Sequence, residues 1–237
     1  MNKINIDNIK ALLLDLDGTL INSEKAFFEA YKDILLKEYS VVISKDEYKE
    51  YELEQNAKLL DFKRNEYQSI RNISDDTIYQ KLYANYMPFF ESVIREEEAK
   101  DNFNLIKEIK DSGLIVALVT TCRRMYISKL LDLYDLHNTF DIIIARDDVP
   151  HELLKPNPAE YLIALDKLQL KPYECISIED SKRGVDASIG ASIPTIKVDN
   201  FTEIKYHDDR TIEESSANKV LRNILDFRLR RNNNEKN

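Results

Sequence analysis

Apolar residues fall in short continuous runs that alternate with segments of helical spacing. Ala11–Leu14 is the first run, and four further candidate strands of similar length follow it at residues 114–119, 140–145, 174–178 and 193–198. Runs without polar alternation are typical of strands that are covered on both faces of a parallel sheet. Because strands and helices alternate along the chain, the pattern predicts an α/β fold.

Helical spacing predicts helices over residues 24–39, 101–111, 125–136 and 158–168. The apolar positions of the last of these are Leu162, Leu165 and Leu168. The tail from about residue 227 is rich in Arg and Asn, and we expect it to fray.

Residues 44–100 differ from the remainder because they are charged, rich in Tyr and free of Gly. Helical segments are predicted near 47–60 and 75–86, and Pro88 is expected to end a helix. This section is either a helical insert or a set of further helices on the same core. Its cations can meet an anionic substrate, but a solvated helix face is the favoured interpretation for three of them, Lys58, Lys63 and Arg64.

Two carboxylates, Asp15 and Asp17, follow the first apolar run directly. Open α/β sheets place their ligands at the carboxyl ends of strands. Two acids this close repel each other unless a cation or a shared proton relieves them, and oxygen ligands of this kind suit Mg²⁺. One Asp can then act as a nucleophile and the other as a proton carrier. The alternative is two acids at an ordinary strand exit.

Four motifs occur in a recognisable order. Asp15-Leu16-Asp17-Gly18-Thr19-Leu20 resembles the first motif of the haloacid dehalogenase-like hydrolases, D-x-D-G-T-L. Thr120 after an apolar run, Lys155-Pro156, and Glu179-Asp180 match the other three, so the resemblance covers about residues 9–200. It implies a Rossmann-like, doubly wound parallel sheet core formed by residues 1–22 and 100–237. It also implies an all-helical cap, residues 23–99, that closes over the site.

The resemblance also implies a role for each motif residue. Asp15 attacks phosphorus and Asp17 protonates the leaving oxygen, then activates water. The phosphoryl oxygens are held by Thr120, Thr121 and Lys155. The implied cofactor is Mg²⁺, with ligands from Asp15, Asp180, Glu179 and the backbone carbonyl of Asp17.

The expected function is that of a Mg²⁺-dependent phosphatase acting on a small phosphorylated metabolite, a phosphate monoester, through an aspartyl-phosphate. A phosphomutase of the β-phosphoglucomutase kind shares all four motifs. A phospho-accepting receiver module and a catalytically silent binding protein are further alternatives. A dehalogenase is disfavoured, because such relatives lack the acid that Asp17 provides.

Charge and apolar content restrict the partners. The 237 residues carry a net charge of −9, which argues against general affinity for nucleic acid or an anionic membrane. No apolar run is long enough to span a bilayer, and the start of the chain has no apolar signal region. Cys122 and Cys175 lie in or beside apolar runs, as buried thiols do in a reducing cytosol. We therefore expect a cytoplasmic monomer or homodimer.

Overall fold

The computed structural model describes four stretches of the chain, residues 8–54, 59–199, 201 and 208–234. These residues divide into two compact units. One unit joins the described residues up to Asn22 with those from Ile94 onward, and the other is Ser23–Val93. No helix in the described stretches has the length and apolarity needed to cross a bilayer.

The first unit is built on one six-stranded sheet whose paired neighbours are all parallel. Its strands are β1 (Ala11–Leu14), β2 (Ile115–Val119), β3 (Ile142–Ile144), β4 (Cys175–Glu179), β5 (Thr195–Val198) and β6 (Ile212–Glu214). Their order across the sheet is β3-β2-β1-β4-β5-β6, so β1 lies between β2 and β4. The predicted parallel α/β sheet is confirmed. The sixth strand was missed, because its Ile-Glu-Glu sequence contains no apolar run.

The second unit consists, in its described residues, of helices and turns. Its elements are α1 (Ser23–Tyr39), α2 (Lys45–Glu47), a π-helical stretch (Tyr48–Glu54), α3 (Leu59–Glu66), a 3₁₀ turn (Gln68–Ile70), α4 (Asp75–Ala84) and α5 (Met87–Ile94). The expectation that Pro88 ends a helix is wrong, because Pro88 lies in the first turn of α5. Proline is tolerated there since a first-turn N–H has no partner within the helix.

Lys63 is buried, which contradicts the expected solvated helix face. Its ammonium lies 2.6 Å from Glu47 Oε1 and 3.0 Å from Glu66 Oε2, and the residue is 3% exposed. Two carboxylates thus compensate for the lost hydration of one cation. Arg64 is half-buried and pairs with two aspartates. Lys58 lies outside the described residues.

The remaining helices belong to the first unit: α6 (Glu97–Asp111), α7 (Arg124–Tyr134), α8 (Ala159–Leu168), α9 (Lys182–Gly190) and α10 (Ala217–Asn234). Short 3₁₀ turns cover Arg146–Asp148, His151–Leu153 and Pro172–Glu174. The tail was expected to fray from about residue 227. This expectation is wrong for residues 227–234, because they continue α10. The two cysteines are buried free thiols, as predicted.

Helix α8 turns a different face inward from the one that its leucines suggest. Tyr161, Ala164 and Leu165 are buried, whereas Leu162 is 48% exposed. The inward face therefore includes a polar-tipped side chain that the leucine pattern did not predict.

Both faces of β1 are covered. Ala11 and Leu13 belong to one apolar cluster with Tyr161 and Ala164 of α8. Leu12 and Leu14 point to the opposite face, because side chains alternate along a strand, and they are fully buried too. This double coverage explains the unbroken apolar run of β1 and confirms a doubly wound sheet.

Candidate active site

The predicted site residues lie at the carboxyl ends of neighbouring strands. Asp15 follows β1, Thr120 follows β2, and Asp180 follows β4. Since β1 lies between β2 and β4, these three loops meet at one edge of the sheet. Lys155 reaches the same edge from the segment between β3 and α8.

The ammonium of Lys155 is the centre of the arrangement. It donates to Asp15 Oδ1 at 2.7 Å, to Glu179 Oε1 at 2.6 Å and to the Val119 carbonyl at 2.8 Å. Burial alone lowers the pKa of Lys155, but the charges of Asp15 and Glu179 outweigh burial and raise it. The two acids therefore favour the protonated, cationic form of Lys155.

The backbone of Lys155 is held from both sides. Its N–H donates to Glu160 Oε2 at 3.2 Å. Its carbonyl accepts from Arg183, at 3.2 Å from Nε and 2.5 Å from Nη2. Because both the N–H and the carbonyl of Lys155 are hydrogen-bonded, the backbone fixes the direction of the Lys155 side chain.

Glu179 ends β4 and is fully buried. Its Oε1 accepts from Lys155 and from the hydroxyl of Tyr161. Burial and the nearby charge of Asp15 raise the pKa of Glu179 to about 8. Its Oε2 has no hydrogen-bond partner among the described residues and faces Gly184, where a Cβ would lie 1.8 Å away. Only a glycine at position 184 admits this carboxylate.

Asp180 lies against the first motif. The Thr19 hydroxyl is 3.2 Å from Asp180 Oδ1 and 3.3 Å from Asp15 Oδ2, so its one hydrogen serves one carboxylate at a time. Gly18 has φ +78°, and a Cβ there would lie 2.1 Å from Asp180 Oδ2. Glycine is thus required at position 18 for its conformation and for the close approach of Asp180.

Asp15, Glu179 and Asp180 each place a carboxylate oxygen within 4.8 Å of the others. Three buried carboxylates face the single ammonium of Lys155, so negative charge is in excess unless a proton or a second cation is added. The hard carboxylate oxygens of this cluster are a donor set that fits Mg²⁺. The Asp17 side chain is not in this cluster, and the role of its carbonyl stays a prediction.

A cavity of about 250 Å³ opens on this edge of the sheet. It is lined by Asp15, Asp17, Thr121, Lys155, Ser181 and Arg183. Thr120 is fully buried and is not among the lining residues, and its Oγ1 accepts from the Cys122 N–H at 3.1 Å. This bond leaves the Thr120 hydroxyl hydrogen available to an acceptor. Thr120 is not the cap of α7, which begins after Arg123.

Four contributors were missed from the sequence, the first being Glu160, which had no signal as one acid in a helical segment. Thr19 had a signal, because it lies inside the quoted first motif. Tyr161 had none, since an aromatic residue in a helical pattern predicts core packing. Arg183, three residues after Asp180, is exposed on α9, and only the fold shows that it reaches the Lys155 carbonyl.

Comparison with known proteins gives a consistent family assignment. A family model described as haloacid dehalogenase-like hydrolase matches residues 12–198. The chain is 28% identical over 192 residues to pyrophosphatase PpaX of Bacillus cereus, covering 80% of this chain and 83% of that protein.

Two solved structures share the fold. CbbY from Rhodobacter sphaeroides, in complex with xylulose-(1,5)bisphosphate, superposes with a TM-score of 0.67 and 23% identity, over 90% of this chain and 96% of that one. A hydrolase from Deinococcus radiodurans, with bound phosphate and sodium, gives a TM-score of 0.68 and 18% identity, over 93% and 96%.

Proposed function

The chain belongs to the haloacid dehalogenase-like hydrolases, and from that premise we propose that it is a Mg²⁺-dependent phosphatase using Asp15 as nucleophile. The family resemblance expected from the four motifs is confirmed by the match over residues 12–198, as is a hydrolase of the phosphatase type. The metal, the aspartyl-phosphate and the substrate are the parts that we propose.

One observation carries the proposal: the Lys155 ammonium lies 2.7 Å from Asp15 Oδ1 beside a cavity of about 250 Å³. A phosphoryl-transfer site has little covalent chemistry to supply beyond a nucleophile. It needs positioned positive charge and hydrogen-bond donors around the transferring group. Lys155, Thr120 and Thr121 offer these next to the Asp15 carboxylate.

In the proposed reaction the Asp15 carboxylate attacks phosphorus, and the bond from phosphorus to the leaving oxygen breaks. Asp17, which lines the same cavity, gives its proton to that oxygen. Water then attacks the aspartyl-phosphate, Asp17 takes the proton, and phosphate leaves with Asp15 restored. Lys155 and Thr120 offset the negative charge on the phosphoryl oxygens throughout.

Asp15 and Asp180 are the residues that we expect to hold the Mg²⁺, with Glu179 behind them as partner of Lys155. When bound, the ion supplies a second positive charge against the phosphoryl group. Calorimetric titration with Mg²⁺ tests this placement without any turnover. We expect Asp180→Asn to weaken Mg²⁺ binding at least about tenfold, since one of few anionic ligands is lost.

Candidate substrates follow from the relatives. PpaX directs the first assay to inorganic pyrophosphate, and the ligand of CbbY directs the second to a sugar bisphosphate. The sugar bisphosphate is a phosphate monoester, the class expected from the sequence, whereas pyrophosphate is an anhydride and lies outside that class. Phosphate release from such a panel, measured with Mg²⁺ and after chelation by EDTA, tests the function.

Asp15→Asn and Asp166→Asn form the decisive pair in this assay. Both remove one carboxylate, but Asp166 is exposed on α8. Release that is lost only in Asp15→Asn supports the phosphatase. An isomerised sugar phosphate without net release would indicate a phosphomutase, and a stable phospho-protein without turnover would indicate a receiver. Full activity of Asp15→Asn would refute the proposed nucleophile.

A further inference from the structure

Arg183 contributes a positive charge to the cavity. Its charge acts on the nearby Glu160 carboxyl, where it opposes the rise in pKa caused by burial, but no ion pair joins the two. Arg183 lines the cavity with Asp15 and Lys155, and its guanidinium donates to the Lys155 carbonyl. No carboxylate in the described stretches of the chain forms an ion pair with its guanidinium. Two N–H groups, on Nε and Nη2, serve the carbonyl, so three of the five donors of an arginine remain.

Neighbouring cations form ion pairs, whereas Arg183 forms none among the described residues. Lys155 is paired with Asp15 and Glu179. Lys182, the adjacent residue on α9, is paired with Asp186 at 2.6 Å. A guanidinium that is anchored by a neutral carbonyl and not by an ion pair can still bind an anion, and its planar fork matches the oxygens of phosphate or carboxylate.

We infer that Arg183 is a specificity-determining residue that binds a second anionic group of the substrate, close to the phosphoryl group that Asp15 attacks. This inference rests on the proposed function. The substrate class that it names carries two anionic groups within a short span, as an inorganic diphosphate or a phosphorylated carboxylic acid does. Arg183 binds the anionic group that stays with the leaving group. Lys155 instead faces the phosphoryl group that is transferred to Asp15.

A purely positioning role is the rival account. Arg183 holds the Lys155 carbonyl, and loss of that contact would let the Lys155 segment shift. Such a shift would impair every phosphate ester to the same degree, because all of them depend on Lys155. Binding of a second anion predicts instead a defect that depends on the charge of the leaving group.

The test compares two substrates in two variants. Arg183→Gln removes the charge, and Lys182→Gln removes the neighbouring exposed charge as the matched control. We expect Arg183→Gln to raise KM for inorganic pyrophosphate at least about tenfold, the scale of one charge-assisted hydrogen bond. For p-nitrophenyl phosphate, whose leaving group has no second anion, we expect less than about threefold. Lys182→Gln should stay within twofold of the wild type for both, roughly the effect of an exposed charge.

Equal losses for both substrates, or none for either, would overturn the inference. Arg183→Lys, which retains the charge and loses the fork, should recover part of the pyrophosphate defect, and a thermal melt of each variant reports folding. Calorimetry with methylenediphosphonate and with inorganic phosphate, both in Mg²⁺, measures the same selectivity without turnover. If the wild type hydrolyses nothing, the proposed function fails, and this binding comparison still decides whether Arg183 selects a second anion.

Discussion

Two buried lysines, one in each unit, show how similar contacts serve different ends. Lys155 and Lys63 are 4% and 3% exposed, and each has two carboxylate partners. Each also lies over an aromatic ring, at 5.3 Å from Tyr161 for Lys155 and 5.4 Å from Phe62 for Lys63. By contacts alone the two are nearly equivalent.

The carboxylates that pair with the two lysines differ in their exposure to solvent. Glu47 and Glu66, the partners of Lys63, have side chains that are 30% and 43% exposed. The side chains of Asp15 and Glu179 are 8% and 0% exposed, and a third carboxylate adjoins them. Water can screen the first set, whereas the second needs further positive charge. A buried ion pair indicates a functional site when its own groups leave a charge imbalance beside a cavity.

The largest expected difference is in catalysis. We expect Lys155→Met to lower kcat on the best substrate by a factor on the order of 10³, because the positive charge facing the transferring group is lost. Lys63→Met removes an equally buried lysine and should retain activity within about threefold, a change of less than 1 kcal/mol. Steady-state kinetics below the melting temperature of both variants checks this. Comparable losses would contradict the distinction between the two lysines.

The next effect concerns the packing of Glu179. In Gly184→Ala the new Cβ would lie 1.8 Å from Glu179 Oε2, so the carboxylate or α9 must move. We expect a loss of about 1–3 kcal/mol in the free energy of unfolding, typical of overpacked cores. Gly190→Ala on the same helix meets Pro158 Cβ at 3.3 Å and should cost less than about 1 kcal/mol. Urea unfolding measures both, and equal costs would refute the close approach at Gly184.

Lys63→Met should have a smaller effect on stability. The two glutamates that it leaves behind are partly exposed, so they regain water. We expect a loss of about 1–2 kcal/mol, below the 3–5 kcal/mol typical of breaking a fully buried pair. Urea unfolding of the wild type and of Lys63→Met gives the difference. A cost above that of Gly184→Ala would contradict the role of solvent at this pair.

The smallest expected effect concerns the difference in the free energy of unfolding between the wild type and Lys63→Met, which should depend on pH. Burial raises the pKa of Glu47, but hydrogen bonds from Lys63 and Ser44 outweigh burial and hold that pKa below its usual value. A carboxyl with a lowered folded pKa stabilises above its unfolded pKa of about 4.3 and loses this contribution as the pH falls. The stability gap between wild type and Lys63→Met should therefore narrow below about pH 4.3. A gap that is constant from pH 6 to 3 would show that the hydrogen bond from Lys63 does not lower the pKa of Glu47.

The local sequence determined the strands and the positions of the motif residues. Apolar runs predicted five of the strands because a strand buried on both faces needs apolar residues throughout, which is a local requirement. The motif residues were also predictable from local sequence, because each family motif consists of adjacent residues. They are Asp15, Thr120, Lys155 and Asp180. Their convergence then follows from the order of parallel strands, in which carboxyl ends share one edge.

Only the tertiary structure decided what surrounds those residues. Lys155 lies between Leu154 and Pro156 in sequence and Lys63 between Phe62 and Arg64, and neither context predicts a buried ion pair. Tyr161 faces inward, where its hydroxyl donates to Glu179 on another element, and Leu162 faces outward. Arg183 gains its place from a carbonyl 28 residues away. Burial and charge compensation are sums over the whole fold, so residues that depend on them carry no local signal.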